Sequence, residues 1–271
     1  MTFAQLDAAR VARMISEAAA IEIVPRFRNL AEGDIRQKST PDDLVTVADE
    51  AMERRLSAVL RDLLPGSVVI GEEAAAADPA VHNLIGGADP VWVIDPIDGT
   101  SNFAAGWPAF GVIVALVSGG ETLMGWIHDP NAGHTAIAER GSGAWLEGQR
   151  LTIAAPGARG ALRGAMATKF FAPALREQLD AKRSRFSRHR QSHAAGDYVE
   201  LVRGTLDFAL YQRTLPWDHA AGVLLHAEAG GYSARLDGTP YRPLHRDGGL
   251  LLAPDRPLWD ALFNELFDGL E

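Results

Sequence analysis

Apolar positions recur at helical spacing over residues 3–30 and again over 43–63, and then the period shortens. Short, β-branched apolar runs at 68–70, 91–94, 109–117 and 122–128 predict strands, with strand signals continuing through 135–147. From residue 161 strand and helix alternate: helices at 171–182, 199–203 and 220–229, and a strand at 206–211. A last strand at 249–253 precedes a C-terminal helix at 257–270. Residues 74–77, an alanine run, read as a surface loop or a helix edge, and no repeat or other low-complexity tract interrupts the pattern.

A chain of 271 residues buries a substantial core as one large domain or two closely packed halves, drawn here at 1–150 and 151–271. The absence of cysteine excludes disulfides and thiol chemistry and fits a cytoplasmic protein. Asp7, Arg10, Arg13 and Glu17 lie at helical spacing, so the first twenty residues read as an amphipathic helix and not a signal peptide. No apolar run reaches membrane-spanning length, which argues against a membrane partner. A net charge of −9 argues against a general nucleic-acid surface. Lys182, Arg183, Arg185, Arg188 and Arg190 form a basic cluster that reads as a solvated face, and the eight histidines show no metal-ligand spacing.

The chemistry concentrates after the apolar run Val91-Trp92-Val93-Ile94, where Asp95, Asp98 and Thr100 follow within six residues. Pro96 and Gly99 stop the strand, so the acids are expected on the turn at its end. Two carboxylates folded toward one point repel unless a cation lies between them, and a hard ion such as Mg2+ is the natural occupant. Asp-Pro and Asp-Gly are also ordinary turn pairs. The Asp-x-Asp-Gly-Thr pattern of haloacid dehalogenase phosphatases is a second alternative, but here two residues separate the acids, not one. Two further segments supply acids: Val68-Val69-Ile70-Gly71 runs into Glu72 and Glu73, and Asp218 stands at the start of the helix after Trp217, as a cap or a ligand.

Together these segments resemble the inositol monophosphatase superfamily of metal-dependent sugar phosphatases. Trp92 to Phe103 is similar to its first signature, Trp217 to Gly231 to its second, and Gly71 to Glu73 to its Gly-Glu-Glu element. Lys38 and Asp43 to Asp49 resemble its mobile loop and following helix, and Ala138 to Trp145 its strand and turn closing the first half. The resemblance implies a layered αβαβα five-layer sandwich with the site between its halves. It implies one Mg2+ on Glu72, Asp95 and the carbonyl of Ile97, and a second on Asp95, Asp98 and Asp218. Thr100 and Asp49 would orient the attacking water, and Glu73 would stand behind the ligands or hold a third ion. Asp98, Gly99, Thr100, Gly196, Asp197 and Lys38 are the implied substrate contacts, Gly99 and Thr100 opening a helix whose N–H groups offer an anion site.

What the resemblance implies overall is a lithium-sensitive phosphomonoesterase, active without a covalent intermediate on a small polyol or sugar phosphate, inositol monophosphate first, and a homodimer. The family's Glu upstream of Trp-Asp is absent from 211–216, and Asp197 either caps the helix after it or faces substrate, as in the similar Gly-Asp-aromatic element of the histidinol-phosphatase branch. Histidinol phosphate and nucleotide or sugar bisphosphates are therefore the alternative substrates. A regulatory binding protein that retains the fold is the alternative of another class.

Overall fold

The computed structural model describes residues 6–38, 44–154, 161–188 and 193–268, so Asp43 and Arg190 lie outside the described residues. In chain order the elements are α1 (Ala8–Glu22), β1 (Ile35–Gln37), β2 (Leu44–Thr46), α2 (Val47–Leu63), β3 (Val68–Gly71), α3 (Glu72–Ala77), β4 (Val91–Asp98) and α4 (Thr100–Ala104). β5 (Gly111–Ser118), β6 (Glu121–Asp129), β7 (His134–Glu139), β8 (Gly143–Leu146) and β9 (Gln149–Leu151) follow as a meander. The remainder comprises β10 (Arg163–Ala167), α5 (Pro173–Lys182), β11 (Ser187–Arg188), α6 (Ala194–Val202), β12 (Phe208–Tyr211), α7 (Pro216–Glu228), β13 (Tyr232–Arg235), β14 (Leu250–Ala253) and α8 (Arg256–Phe267).

A seven-stranded sheet runs β3-β4-β5-β6-β7-β8-β9, antiparallel except for the parallel β3–β4 pair. A five-stranded sheet runs β11-β10-β12-β14-β13, and β1 and β2 form a separate antiparallel pair. The period-two alternation of a strand explains why β4 and β5 are apolar throughout. Trp92, Ile94, Val112, Val114 and Leu116 meet α1 and α2 in one core, whereas Val91, Val93, Ile113, Ala115 and Val117 meet α6 and α7 in another. The five-stranded sheet is divided in the same way, Ala209, Tyr211, Leu250 and Leu252 facing α6 and α7, and Phe208, Leu210, Leu251 and Ala253 facing Leu179 of α5 and Trp259 of α8. The result is the αβαβα sandwich, with α6 and α7 as its middle layer.

Several elements differ from the sequence reading. The first helix ends at Glu22 because Pro25 opens a short 3₁₀ turn beyond it and has no N–H to extend the ladder. The second begins at Val47, where Thr46 and Asp49 cap each other's backbone, while residues 44–46 pair as a strand. β4 runs on past residue 94 to Asp98: pairing with β5 continues at Asp95–Ile113 and resumes at Asp98–Gly111, and a bulge between them absorbs Pro96. The acids therefore sit on an irregular strand end and not on the turn after it. α6 starts five residues before the expected helix, and β1, β2 and β13 carry too little periodicity to be read in isolation. Among the described residues, no helix is long and apolar enough to cross a membrane.

Candidate active site

The parallel pairing of Gly71 with Ile94 brings the end of β3 beside the end of β4, so Glu72 and Glu73 open α3 next to Asp95. Glu53 on α2 sets that junction. Its carboxylate accepts the N–H groups of Glu73 at 2.8 Å and Ala74 at 3.0 Å, capping α3 from a neighbouring helix. A Cβ on Gly71 would lie 2.1 Å from Glu53 Cδ, so this close approach needs glycine. Sequence reasoning missed Glu53; its only signal is a place one helical turn after Asp49, on the same buried face of α2.

Asp49 is fully buried, and its Oδ2 accepts from the Thr46 N–H at 2.8 Å and the Thr46 hydroxyl at 2.6 Å. Its Oδ1 faces the Thr100 hydroxyl at 3.0 Å, which also faces the Ile97 carbonyl at 2.9 Å. One hydroxyl proton serves both acceptors, and Thr100 Oγ1 keeps lone pairs for a further donor. Gly99 permits the turn into α4: its φ is +88° and a Cβ would meet the Ala109 carbonyl at 2.8 Å. α4 is only five residues long.

Asp98 Oδ2 accepts from the Ala195 N–H at 2.6 Å, which ties β4 to the first turn of α6. Asp95 is only 2% exposed, and its Oδ1 has no hydrogen-bond partner among the described residues. Asp218, the third residue of α7, hydrogen-bonds Asp95 from the middle layer. Two carboxylates this close favour a shared proton or a cation between them. Burial raises Asp95 and Asp218 well above the ordinary carboxylate value and raises Asp98 as well, and Glu72 and Asp98 raise both Asp95 and Asp218 further. Burial likewise lifts Asp49 to about 6 and Glu73 to about 7. Lys38 Nζ lies 2.8 Å from Glu72 and 2.6 Å from Glu73. Burial opposes its charge, but the two glutamates outweigh that and hold it protonated. Among the described residues no three acidic or histidine side chains stand close enough to grip an ion as they lie.

The expected substrate contacts divide. Asp197 lies inside α6, fully buried, and accepts the Tyr211 hydroxyl at 2.8 Å. It is not the cap of a following helix, because α6 begins at Ala194 and His193 precedes it. Gly196 packs against His193, whose Cε1 would lie 2.4 Å from a Cβ there. Behind Asp218, the Tyr198 hydroxyl meets His219 Nδ1 at 2.9 Å, and His219 Nε2 meets the Arg213 carbonyl at 3.1 Å. A 150 Å³ cavity opens over these groups, lined by Asp98, Phe170, His193, Arg213, Asp218 and His219 among others. A larger cavity of 510 Å³ lies against the far side of His193, between α6 and the ends of β5 and β6. Arg213 and the Tyr198–His219 pair were not read from the sequence; 211–216 only departs from an expected pattern there.

The profile of the inositol monophosphatase family matches residues 5–269. A fructose-1,6-bisphosphatase/inositol-1-monophosphatase of Thermotoga maritima is 32% identical over 206 residues, 76% of each chain. A Pseudomonas aeruginosa protein called Nus factor SuhB is 33% identical over 226 residues, 79% of this chain and 80% of its own. The crystal structure of extragenic suppressor protein suhB from Bartonella henselae superposes with a TM-score of 0.78 at 24% identity, covering 97% of this chain and 98% of that one.

Proposed function

The chain belongs to the inositol monophosphatase family of phosphatase-type hydrolases, and from that premise we propose that it is a Mg2+-dependent phosphomonoesterase of small polyol or sugar phosphates, inositol monophosphate first. The observation that carries this reading is the convergence of carboxylates from three elements around the buried Asp95: Glu72 at the start of α3, Asp95 and Asp98 on β4, and Asp218 on α7. An unpartnered buried carboxylate oxygen is costly, and an all-oxygen donor set around Asp95 Oδ1 fits a hard divalent cation. Glu72, Asp95 and the Ile97 carbonyl would hold one ion, and Asp95, Asp98 and Asp218 the second. Such ions, when bound, supply Lewis-acid polarisation of the phosphate and stabilise the attacking and leaving oxygens.

This chain's own residues do the rest. Thr100 Oγ1, held by Asp49 and the Ile97 carbonyl, accepts a hydrogen bond from the attacking water and donates its own toward Asp49. Glu53 holds the α3 N-terminus in place, and with it Glu72 and Glu73. Lys38 holds the Glu72 carboxylate that would also serve the ion, so an ammonium and a bound cation would compete for it. Phosphate release from inositol 1-phosphate, with and without Mg2+ and beside a panel of histidinol phosphate, sugar bisphosphates and nucleotide bisphosphates, tests the reading; the absence of Mg2+-dependent release from every member overturns it. The relative called Nus factor SuhB leaves open a second reading, a regulatory binding protein on the same fold, which that null result would leave standing.

A further inference from the structure

The cavity over Asp98 and Asp218 has a carboxylate floor but a cation in its wall. Arg213 precedes α7, is exposed, and lines this cavity. Its guanidinium carbon stands 4.0 Å from the centroid of the Phe170 ring, and Phe170 is itself 46% exposed at the rim. No carboxylate forms an ion pair with Arg213 among the described residues. The backbone beneath it is fixed, because His219 Nε2 binds the Arg213 carbonyl at 3.1 Å and the Tyr198 hydroxyl holds the other side of that imidazole at 2.9 Å.

A guanidinium stacked on a ring keeps its in-plane N–H donors free, in the fork geometry that matches phosphate or carboxylate. Stacking has already restricted the side chain, so little conformational entropy remains to be lost when an anion arrives. We propose that Arg213 is a specificity-determining residue: it selects phosphomonoesters that carry a second anionic group and grips that group against the cavity wall while the scissile phosphate sits over the carboxylates. The proposal rests on the phosphatase reading above and, within its substrate range, ranks doubly anionic phosphomonoesters ahead of inositol monophosphate. A second phosphate and a carboxylate share this chemistry, and the assay separates them.

The test compares full-length wild type with Arg213→Ala and Arg213→Lys in saturating Mg2+. Inositol 1,4-bisphosphate is set against inositol 1-phosphate, and 6-phosphogluconate against glucose 6-phosphate. Wild type is expected to show a KM at least about tenfold lower for the member of a pair bearing the second anion. Arg213→Ala collapses that preference to within about threefold and Arg213→Lys retains part of it, since an ammonium keeps the charge but loses the fork. Preference in the first pair alone identifies a second phosphate; preference in both identifies anionic charge as such. Equal losses on both members of each pair, or no preference in wild type, overturn the assignment while leaving the phosphatase reading intact. No Mg2+-dependent release from any substrate overturns both. An unchanged thermal midpoint in the Ala variant confirms that a loss of preference is not a loss of fold.

Discussion

Asp95 holds the most connected place in the site, since it hydrogen-bonds Asp218 and its burial is compounded by Glu72, Asp98, Asp218 and Asp49. Asp95→Asn removes a charge that would serve both ions, and the expected loss in kcat/KM corresponds to several kcal/mol of transition-state stabilisation. Steady-state kinetics across a Mg2+ titration checks it, and full activity in the variant refutes the metal assignment. Thr100 acts differently: its hydroxyl touches Asp49 and the Ile97 carbonyl but no other acid among the described residues. Thr100→Ala should slow turnover by about 10²-fold while Mg2+ affinity by calorimetry stays within about threefold. If the affinity collapses instead, Thr100 belongs to the ion site. Li+ should inhibit where Na+ at equal ionic strength does not, because the oxygens of Asp95, Asp98 and Asp218 suit a small hard cation and general screening treats the two salts alike. Equal responses across a titration would show that these three acids form no second ion site.

At the scale of elements, α7 delivers Asp218 to β4 by lying very close to the seven-stranded sheet. Gly125 on β6 makes that approach possible, since a Cβ there would lie 2.8 Å from the Ala221 Cα, a backbone atom with no rotamer to escape into. Gly125→Ala should lower unfolding free energy by about 1–3 kcal/mol, measured by urea denaturation, and should weaken Mg2+ binding more than a surface Gly→Ala substitution does. A variant as stable as wild type would mean that α7 is free to lift. The strand faces themselves were legible, because a run such as Val91 to Ile94 supplies both cores by simple alternation. The extension of β4 to Asp98 was not: Pro96 reads as a stop in the sequence, and only a paired neighbour able to accommodate a bulge keeps the strand going. Hairpin β1–β2 and strand β13 were silent for a similar reason, three or four residues being too few for a period to register.

Across the whole molecule, burial holds three histidines neutral: His128 is pushed down to about 4, and His219 and His226 to about 3. The unfolded chain takes up protons on them below about pH 6.5 while the fold does not, so their contribution makes stability fall as pH drops through that window. His226 has neither ring nitrogen hydrogen-bonded among the described residues. His226→Leu should therefore flatten the acid limb by up to about 1.4 kcal/mol per pH unit between roughly pH 6 and 4, read from urea midpoints of both proteins. Parallel pH profiles would mean that His226 gains its proton without unfolding. The buried carboxylates pull the opposite way, but they cancel in the comparison. The sequence by itself determined which residues turn inward and which acids follow which strands, because side-chain period and turn chemistry are local properties of the chain. Only the tertiary structure decided that Asp218 meets Asp95, that Glu53 caps a helix nineteen residues on, that Asp197 meets Tyr211, and that Arg213 stacks beside the cavity. Those partners lie on different layers, and which faces meet is fixed by the packing of whole helices and sheets, information that no local spacing carries.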